Sequence, residues 1–187
     1  VKWDGNSYTG IPNVYSSIRH LVSSSEGLYA GSTQGTVASD RIQLWNGSSW
    51  SSLSGGLGRI YSMVSGTDGL YVGGAFNSSS NGQKTLRKIA RWDGNTWNDL
   101  SGGLNFGDDQ ISYIVAPRTM YSASDGLYVG LGGGLGSYSD PTISGSFLKW
   151  NGTTWVQPSG AYFGYNPYFY SMTSCSAGIL IGGQFFQ

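Results

Sequence analysis

The chain has 187 residues, of which 39% are hydrophobic and 14% aromatic, and this content is sufficient for one domain with its own core. Ten basic residues balance ten acidic ones, so we expect no nucleic-acid partner, and no apolar run is long enough to predict insertion into a membrane. The single cysteine, Cys175, excludes an internal disulfide and a multi-cysteine metal site.

Glycine accounts for 31 residues, and serine, threonine and asparagine are also abundant. This composition disfavours helices and is typical of short strands joined by tight turns. The chain is therefore predicted to be all-β. Low charge combined with many serine, glycine and tyrosine residues also favours an extracellular location.

A Trp-Asp/Asn-Gly-x-x-Trp motif occurs four times along the chain. It begins at Trp3, Trp45, Trp92 and Trp150, with Tyr8 replacing the second tryptophan of the first copy, and it contains all seven tryptophans. The first tryptophans lie 42, 47 and 58 residues apart, and the step from Trp150 through the C-terminus to Trp3 is 40 residues. Repetition at such a spacing is typical of propellers and other repeat architectures.

A second motif, close to Gly-Leu-Tyr-Val-Gly, follows the same repeat. Its copies occupy residues 27–31, 69–73, 126–130 and 178–182. Each is a short β-prone run that is entered through a turn. Alignment on its first glycine places Leu21, Met63, Met120 and Met172 in one column, so all three methionines are predicted to share one structural position.

Each repeat is interpreted as four strands. One lies near the second tryptophan, one passes through the methionine column, one is the Gly-Leu-Tyr-Val-Gly motif, and one runs into the next first tryptophan. Four short antiparallel strands per repeat are typical of a propeller blade. The predicted fold is a single β-propeller domain, residues 1–187, with four repeats. Its repeat units span 3–44, 45–91, 92–149, and 150–187 plus 1–2.

The two ends of the chain are predicted to meet. The chain begins inside the last strand of one unit and stops after the third strand of another. Val1–Trp3 is expected to pair with Ile181–Phe186, which would complete a shared blade and remove exposed sheet edges. The propeller is then closed with four blades, or these blades are part of a larger one. The lack of an initial methionine and of a charged-then-apolar leader indicates a processed protein or a piece of a longer chain.

The second unit carries Gly-Leu-Tyr-Val-Gly-Gly-x-Phe at 69–76, Ile-Ala-Arg-Trp-Asp-Gly at 89–94 and Trp-x-x-Leu-x-x-Gly at 97–103. These motifs resemble the kelch-like surface propellers of bacteria and the fungal cortical cell-polarity marker family. The resemblance covers all four units, although the first has Tyr8 for tryptophan and the fourth has Pro158 for leucine. It implies a secreted or surface-displayed protein without a defined reaction. More loosely, the chain is similar to tachylectin-type propeller lectins, which bind sugars between blades.

The sequence contains no credible catalytic set. His20, the only histidine, aligns with serine or threonine of the other units, so it offers no multi-histidine metal site. Glu26, the only glutamate, takes a turn position before a glycine. Asp108 and Asp109 lie in an inserted loop without calcium-binding spacing. We therefore expect no enzyme activity, no metal and no cofactor.

The best candidate for ligand binding is the aromatic segment Tyr162–Tyr170, which is predicted to be an insert between two strands of the fourth unit. Insert loops of repeat proteins are common binding surfaces, and tyrosine offers both a ring and a hydroxyl. The alternative is that these rings fill the core. For the motif tryptophans, packing between blades is favoured over sugar stacking. The predicted ligand-binding residues are Tyr162, Tyr165, Tyr168 and Tyr170.

Two polar features are assigned to the surface. Four basic residues are interpreted as a solvated edge that discourages aggregation. They are Lys84, Arg87, Lys88 and Arg91. Three asparagines lie in N-glycosylation sequons, which apply only in a secreting eukaryote. They are Asn46, Asn77 and Asn151.

Three hypotheses for function follow. The first is a non-enzymatic extracellular or cell-surface propeller for adhesion, assembly or protein interaction. The second is a carbohydrate-binding lectin with sites at the blade loops. The third, a glycan-active hydrolase, would need a pocket in which two carboxylates converge. The expected partner is a protein or a glycan at a surface, with self-assembly or a larger parent chain as alternatives.

Overall fold

The computed structural model describes residues 1–11, 17–32, 41–79, 82, 84–104, 115–132, 147–160, 163 and 167–185. Within these ranges the chain is all-β, as predicted, and contains no α-helix. The strands, in chain order, are β1 (Lys2–Trp3), β2 (Tyr8–Thr9), β3 (Ile18–Ser24), β4 (Gly27–Ser32), β5 (Ile42–Trp45), β6 (Trp50–Ser52), β7 (Arg59–Gly66), β8 (Gly69–Ala75), β9 (Ile89–Trp92), β10 (Trp97–Asn98), β11 (Ala116–Ala123), β12 (Gly126–Gly132), β13 (Phe147–Trp150), β14 (Trp155–Val156), β15 (Tyr168–Cys175) and β16 (Gly178–Gln184).

The strands form antiparallel sheets that repeat along the chain. Sheet 1 contains β3–β6, sheet 2 contains β7–β10 and sheet 3 contains β11–β14, so each of these has four strands. Sheet 4 contains only β15 and β16, and an N-terminal hairpin contains β1 and β2. Within each sheet, strands that are consecutive in sequence pair with each other, so each complete sheet is a four-stranded antiparallel meander.

The sheets group the predicted strands differently from the repeat units that start at each first tryptophan. Each complete sheet begins with the methionine-column strand and ends with the strand of the second tryptophan, as in β7 to β10. The reason is local. The Trp-Asx-Gly-x-x-Trp segment forms a tight hairpin, so its two tryptophan strands pair with each other. A boundary at the first tryptophan would divide this hairpin.

The hairpin is built in the same way in every copy. In the copy that begins at Trp92, the Asp93 carboxylate accepts hydrogen bonds from the backbone N–H groups of Asn95 and Thr96, at 2.9 and 2.8 Å. Gly94 has a φ of +99°, a left-handed conformation that glycine adopts at little cost. The two tryptophan rings lie opposite each other, with centroids 5.1 Å apart. The equivalent acceptors are Asp4, Asn46 and Asn151.

The strand registers confirm that the methionine column is one structural position. Its members pair with the third residue after the aligned glycine. Met63 lies opposite Val72, Met120 opposite Val129, Met172 opposite Ile181 and Leu21 opposite Ala30. A β-bulge also interrupts each first strand at the same place, between Ile60 and Ser62 in sheet 2. The repeats are therefore equivalent in structure as well as in sequence.

Successive sheets stack face to face. The methionine-column strands pack against one another, β3 on β7, β7 on β11 and β11 on β15. One core lies between sheets 1 and 2 and includes Leu70 and Val72, and another lies between sheets 2 and 3 and includes Tyr71 and Leu127. Adjacent residues of a strand point to opposite faces. Leu70 and Val72 therefore face the preceding sheet, whereas Tyr71 faces the following one.

A glycine in the second strand of each sheet permits this close approach. If a Cβ were added to it, the new atom would lie well inside contact distance of a side chain from the following sheet, so a larger residue would force the sheets apart. The contacts would be Gly31 to Met63 Sδ at 2.3 Å, Gly73 to Pro117 Cβ at 2.4 Å, and Gly130 to Phe169 Cβ at 2.6 Å.

The predicted pairing of the two chain ends is not present. Among the described residues, β1 pairs only with β2 and β16 pairs only with β15, so Val1–Trp3 does not join the C-terminal strand. In terms of the repeat, the described residues form only the first two strands of sheet 4. The N-terminal hairpin corresponds to the third and fourth strands of a repeat.

Candidate functional site

The predicted ligand-binding tyrosines divide into two groups. Tyr162 and Tyr165 lie outside the described residues. Tyr168 and Tyr170 lie on β15 and not in an inserted loop, because this segment pairs with the end of β16. Tyr170 is the bulge residue of β15 and is 66% exposed, and Tyr168 is exposed as well. Two of the four predicted side chains are therefore accessible, on a strand instead of a loop.

The phenylalanines of the same segment are packed. Phe163 and Phe169 contact each other with ring centroids 5.0 Å apart, and each also contacts Phe147 of sheet 3 and Phe185. Phe169 is fully buried. The alternative interpretation, in which rings of this segment fill the core, therefore holds for the phenylalanines. They fasten sheet 4 to sheet 3.

The outer face of sheet 4, termed the C-terminal face, is uncovered. Leu180 is 52% exposed there, although the equivalent Tyr29 and Tyr71 are buried by the sheet that follows them. A Cβ added to Gly182 would meet only Ser171 of the same sheet. Each of these positions is thus arranged for a following sheet that the described residues do not supply.

The outer face of sheet 1, termed the N-terminal face, is also uncovered, but its exposed positions are those that face a preceding sheet in the other repeats. Leu21 is 64% exposed, although the equivalent Met120 is buried against sheet 2. In the N-terminal hairpin, Trp3 is 52% exposed and Tyr8 is exposed. Exposed apolar groups thus occur at both ends of the stack.

The bulge residues of the four sheets alternate between arginine and tyrosine. They are Arg19, Tyr61, Arg118 and Tyr170. Arg118 of sheet 3 places its guanidinium over the ring of Tyr61 of sheet 2, 4.1 Å from the centroid. This is a cation–π contact between neighbouring sheets. Arg19 and Tyr170, at opposite ends of the stack, are both exposed.

Two repeat-related clefts open between the sheets at the end where the Asp-Gly turns lie. One, of about 260 Å³, lies between sheets 1 and 2, and the other, of about 240 Å³, lies between sheets 2 and 3. Equivalent residues line both. In the first cleft they are Glu26, Tyr29, Ser65, Asp68 and Asp93. In the second they are Asp68, Tyr71, Ser122, Asp125 and Asn151.

Each cleft contains a tyrosine hydroxyl that donates to a carboxylate. Tyr29 Oη donates to Glu26 Oε2 at 2.5 Å, and Tyr71 Oη donates to Asp68 Oδ1 at 2.9 Å. Burial, with the neighbouring carboxylate as the next cause, raises the pKa of Tyr71 to about 12 and raises the pKa of Tyr29 in the same direction. Both hydroxyls therefore remain protonated donors at neutral pH.

The charge balance differs between the clefts. Arg91 pairs with Asp68, and Lys149 Nζ pairs with Asp125 Oδ2 at 2.6 Å. The hydrogen bond from Lys149 is the main cause that lowers the pKa of Asp125. In sheet 1 the corresponding register position is Leu44, which carries no charge. The cleft that contains Glu26 is therefore the more acidic one.

The clefts bring carboxylates together, and the general acid of a glycosidase would need a raised pKa. Backbone N–H groups of Thr96 and Asn95 lower the pKa of Asp93 to about 2. Asp108 and Asp109 lie outside the described residues. In the part of the chain that the structure describes, no group of three or more histidine, cysteine or acidic side chains is placed to hold a metal.

His20 is half-buried on β3 and occupies the register position of Ser62, Thr119 and Ser171, opposite the second-strand glycine. Burial lowers its pKa, and a hydrogen bond to the Ile60 backbone opposes the shift. These contacts fit a substituted strand position that now packs on sheet 2.

The other polar assignments have mixed outcomes. Lys88 is buried and Lys84, Arg87 and Arg91 are half-buried, so the prediction of a solvated basic edge is wrong. The cause is position: Arg91 belongs to β9, an inner strand of sheet 2, and it pairs with Asp68. Of the three sequon asparagines, Asn46 and Asn151 are exposed in hairpin turns, whereas Asn77 is half-buried.

Sequence reasoning missed both the clefts and the uncovered faces. It assigns Glu26 to a turn, which is correct but incomplete. The available signal was the acidic residue three positions before each tyrosine of the second motif, at Asp68 and Tyr71 for example. That spacing places the carboxylate of a turn beside the hydroxyl of the strand that follows.

A comparison with protein-family models, with curated proteins and with solved structures finds no match to this chain. The resemblance to kelch-like and cortical-marker propellers therefore rests on the sequence motifs alone. Among the described residues, no helix is long and apolar enough to cross a membrane.

Proposed function

We propose that the sheets are blades of a β-propeller of the kelch-like or cortical cell-polarity-marker type. Three features support this arrangement. The complete sheets are four-stranded antiparallel meanders with equivalent registers. Their first strands pack against one another, as do the innermost strands of propeller blades. A glycine column lets each sheet accept a side chain of the next.

The propeller acts as a non-enzymatic module for adhesion, assembly or protein interaction, in a secreted or cell-surface protein. The observation that carries this proposal is the exposure of large apolar side chains among the described residues, in particular Tyr168, Tyr170 and Leu180. Exposed apolar patches on a folded protein commonly mark protein-binding surfaces. The low charge and the resemblance to surface propellers favour the extracellular setting.

Adhesion by coated microspheres tests this function. Microspheres that carry the chain are washed over cell layers, and retention is compared with that of the Leu180→Lys and Tyr170→Ser variants. Both substitutions are at exposed sites, so folding is expected to persist. The proposal predicts retention by the wild type and its loss in both variants. Equal retention of wild type, variants and albumin-coated spheres would refute it.

A second candidate function, carbohydrate binding, is favoured by the inter-sheet clefts. Each presents a carboxylate, a protonated tyrosine hydroxyl and serine hydroxyls in equivalent positions, and these groups suit the hydroxyls of a sugar. Trp150 also lines the second cleft. Because Asp68 lines both clefts, it is the residue on which this function most depends.

Saturation-transfer NMR with a panel of monosaccharides and short glycans tests the clefts. Asp68→Asn is expected to abolish any transfer signal, because it removes a charged acceptor from both clefts at once. Asp4→Asn is the matched control, since asparagine occupies the same hairpin position at Asn46 and Asn151. A signal that survives Asp68→Asn, or no signal from any sugar, would remove the clefts as glycan sites.

A further inference from the structure

The two inter-sheet clefts are built from equivalent residues but differ in charge. We propose that the first cleft, between sheets 1 and 2, binds the protonated amine of an amino sugar, whereas the second cleft, between sheets 2 and 3, binds a neutral sugar. The inference rests on the second proposed function, carbohydrate binding, because it names the class of sugar that each cleft selects. Both clefts lie between complete four-stranded sheets.

The first difference is the partner of the carboxylate that accepts the tyrosine hydroxyl of each cleft. In the second cleft this carboxylate is Asp68, and Arg91 pairs with it, so its charge is neutralised. The register position of Arg91 corresponds in sheet 1 to Leu44. Among the described residues no basic side chain pairs with Glu26, which takes the place of Asp68 in the first cleft. The Glu26 carboxylate therefore has no counter-charge beside it.

The second difference is the hairpin residue that lines each cleft. It is Asp93 in the first cleft and Asn151 in the second. Backbone hydrogen bonds lower the pKa of Asp93 to about 2, so it is ionised at neutral pH, whereas Asn151 is uncharged. The remaining carboxylate of the second cleft, Asp125, pairs with Lys149. Among the described residues, the first cleft thus keeps two carboxylates without a basic partner, and the second keeps none.

The geometry around Glu26 brings these two charges to the same part of the first cleft. Glu26 Oε2 accepts the hydroxyl of Tyr29 at 2.5 Å. Glu26 Oε1 lies beside the hairpin turn of sheet 2, where a Cβ added to Gly94 would be 3.6 Å away. Gly94 directly follows Asp93. An ammonium group between the two sheets therefore lies near both carboxylates and can donate a charge-assisted hydrogen bond to Glu26 Oε1.

The rest of the first cleft suits the hydroxyls of a sugar. Its volume of about 260 Å³ is slightly below the roughly 300 Å³ at which sites for drug-sized ligands begin, so it fits one sugar ring. Ser25, Ser65 and Thr67 line it. Burial raises the pKa of Tyr29, which keeps its hydroxyl protonated. In the described part of the chain, no three histidine, cysteine or acidic side chains are placed to hold a metal, so an organic cation fits these groups better than a metal ion.

An NMR chemical-shift titration tests the assignment. Isotope-labelled protein is titrated with glucosamine and, separately, with glucose at about pH 6, below the ordinary pKa of such an amine. The amides of Ser25 and Gly69 report on the first cleft, and those of Ser124 and Gly152 report on the second. Glucosamine is expected to bind the first cleft up to about fivefold more tightly than glucose for each exposed ion pair that it forms. The two sugars are expected to bind the second cleft equally.

Two variants remove the charge difference in different ways. Glu26→Gln keeps an acceptor for the tyrosine hydroxyl but removes the charge, and Leu44→Arg gives sheet 1 the basic residue that sheet 2 has at this position. Both are expected to fold, because Glu26 is exposed and the position of Leu44 holds Arg91 and Lys149 in the other sheets. Each should abolish the preference for glucosamine. Val156→Lys is the control for added charge, because Val156 is exposed on β14 and lines neither cleft.

The outcomes separate failure of this inference from failure of carbohydrate binding. Equal binding of glucosamine and glucose at the first cleft, with both lost in Asp68→Asn, would overturn the preference for an amine and leave carbohydrate binding intact. A preference that survives both Glu26→Gln and Leu44→Arg would overturn it as well. Ethanolamine that binds as tightly as glucosamine would show that the cleft selects an amine and not an amino sugar. No shift with either sugar at either cleft would overturn this inference and the glycan function together.

Discussion

Sheet 2 and the N-terminal hairpin contain the same motif but differ in burial. The rings of Trp92 and Trp97 are buried in sheet 2, whereas the equivalent Trp3 and Tyr8 are exposed in the hairpin. The hairpins themselves are the same, since Asp93 and Asp4 each accept two backbone hydrogen bonds from the turn. The motif thus determines the turn, and the neighbouring sheets determine burial.

The same contrast separates the interior sheets from sheet 4. Leu127 is buried between its neighbours, while the equivalent Ile179 is only half-buried because, among the described residues, no third strand lies beside β16 as β13 lies beside β12. Equivalent residues therefore contribute unequally to stability. Substitutions at matched positions measure this inequality directly.

The largest expected effect comes from truncation of the second-motif leucine. Leu127→Ala is expected to lower the free energy of unfolding by roughly 2–5 kcal/mol, because it removes buried methyl groups and leaves a cavity. Ile179→Ala, at the equivalent position of sheet 4, is expected to cost clearly less. Urea unfolding of dilute protein measures both values. Equal losses at the two positions would contradict the difference in burial.

The next largest effect comes from the glycine that lets the sheets approach. Gly130→Ala would place a Cβ 2.6 Å from Phe169 Cβ, and overpacking of this kind costs about 1–3 kcal/mol. Gly182→Ala meets only the Ser171 hydroxyl, at 2.9 Å, which can rotate away. Thermal unfolding of dilute samples should therefore show a lower midpoint for Gly130→Ala than for Gly182→Ala. The reverse order would mean that sheet 4 is not the outer sheet.

A smaller effect is expected at the tyrosines of the clefts. Tyr71→Phe removes a buried donor to Asp68 and is expected to cost about 1 kcal/mol. Tyr128→Phe is expected to cost less, because Tyr128 faces the incomplete sheet 4 and is only half-buried. Denaturant titrations of the two variants supply the comparison. A larger loss for Tyr128→Phe would show that sheet 4 covers its neighbour as fully as sheet 3 covers sheet 2.

The smallest effect concerns pH. The pKa of His20 is lowered from its ordinary value of 6.5 in the folded chain, so the unfolded chain takes up a proton at a higher pH than the folded chain does. The stability associated with neutral His20 is present above about pH 6.5 and falls as pH decreases toward the folded pKa. His20→Ser, which restores the residue of Ser62 and Ser171, should flatten this decline. Urea midpoints across this range test it, and an unchanged slope would contradict the account.

Local features of the fold were predictable from the sequence because local chemistry determines them. The Asx-Gly turns need a left-handed glycine and a side-chain acceptor, and both are visible in the motif at Asp93 and Gly94. The methionine column was predictable because each of its members lies six residues before the first glycine of the second motif. These patterns involve residues a few positions apart, so one sequence suffices to find them.

Features that depend on neighbours were not predictable in the same way. The grouping of strands into sheets depends on which edges pair, and the burial of Lys88 depends on its position in sheet 2. Tyr168 and Tyr170 were expected in a loop because aromatic inserts suggest one, but pairing with β16 extends the strand through them. The pairing of Val1–Trp3 with the C-terminal strand follows from the repeat alone, and no such pairing is present in the structure of the single chain.

Hydrogen–deuterium exchange tests the central claim most directly, that the repeated motif determines the turn while the neighbouring strands and sheets determine burial. Slow exchange is expected for β8 and β12, which pair on both edges, and clearly faster exchange for the N-terminal hairpin, whose two strands pair only with each other among the described residues. Exchange of the hairpin as slow as that of β12 would contradict this claim.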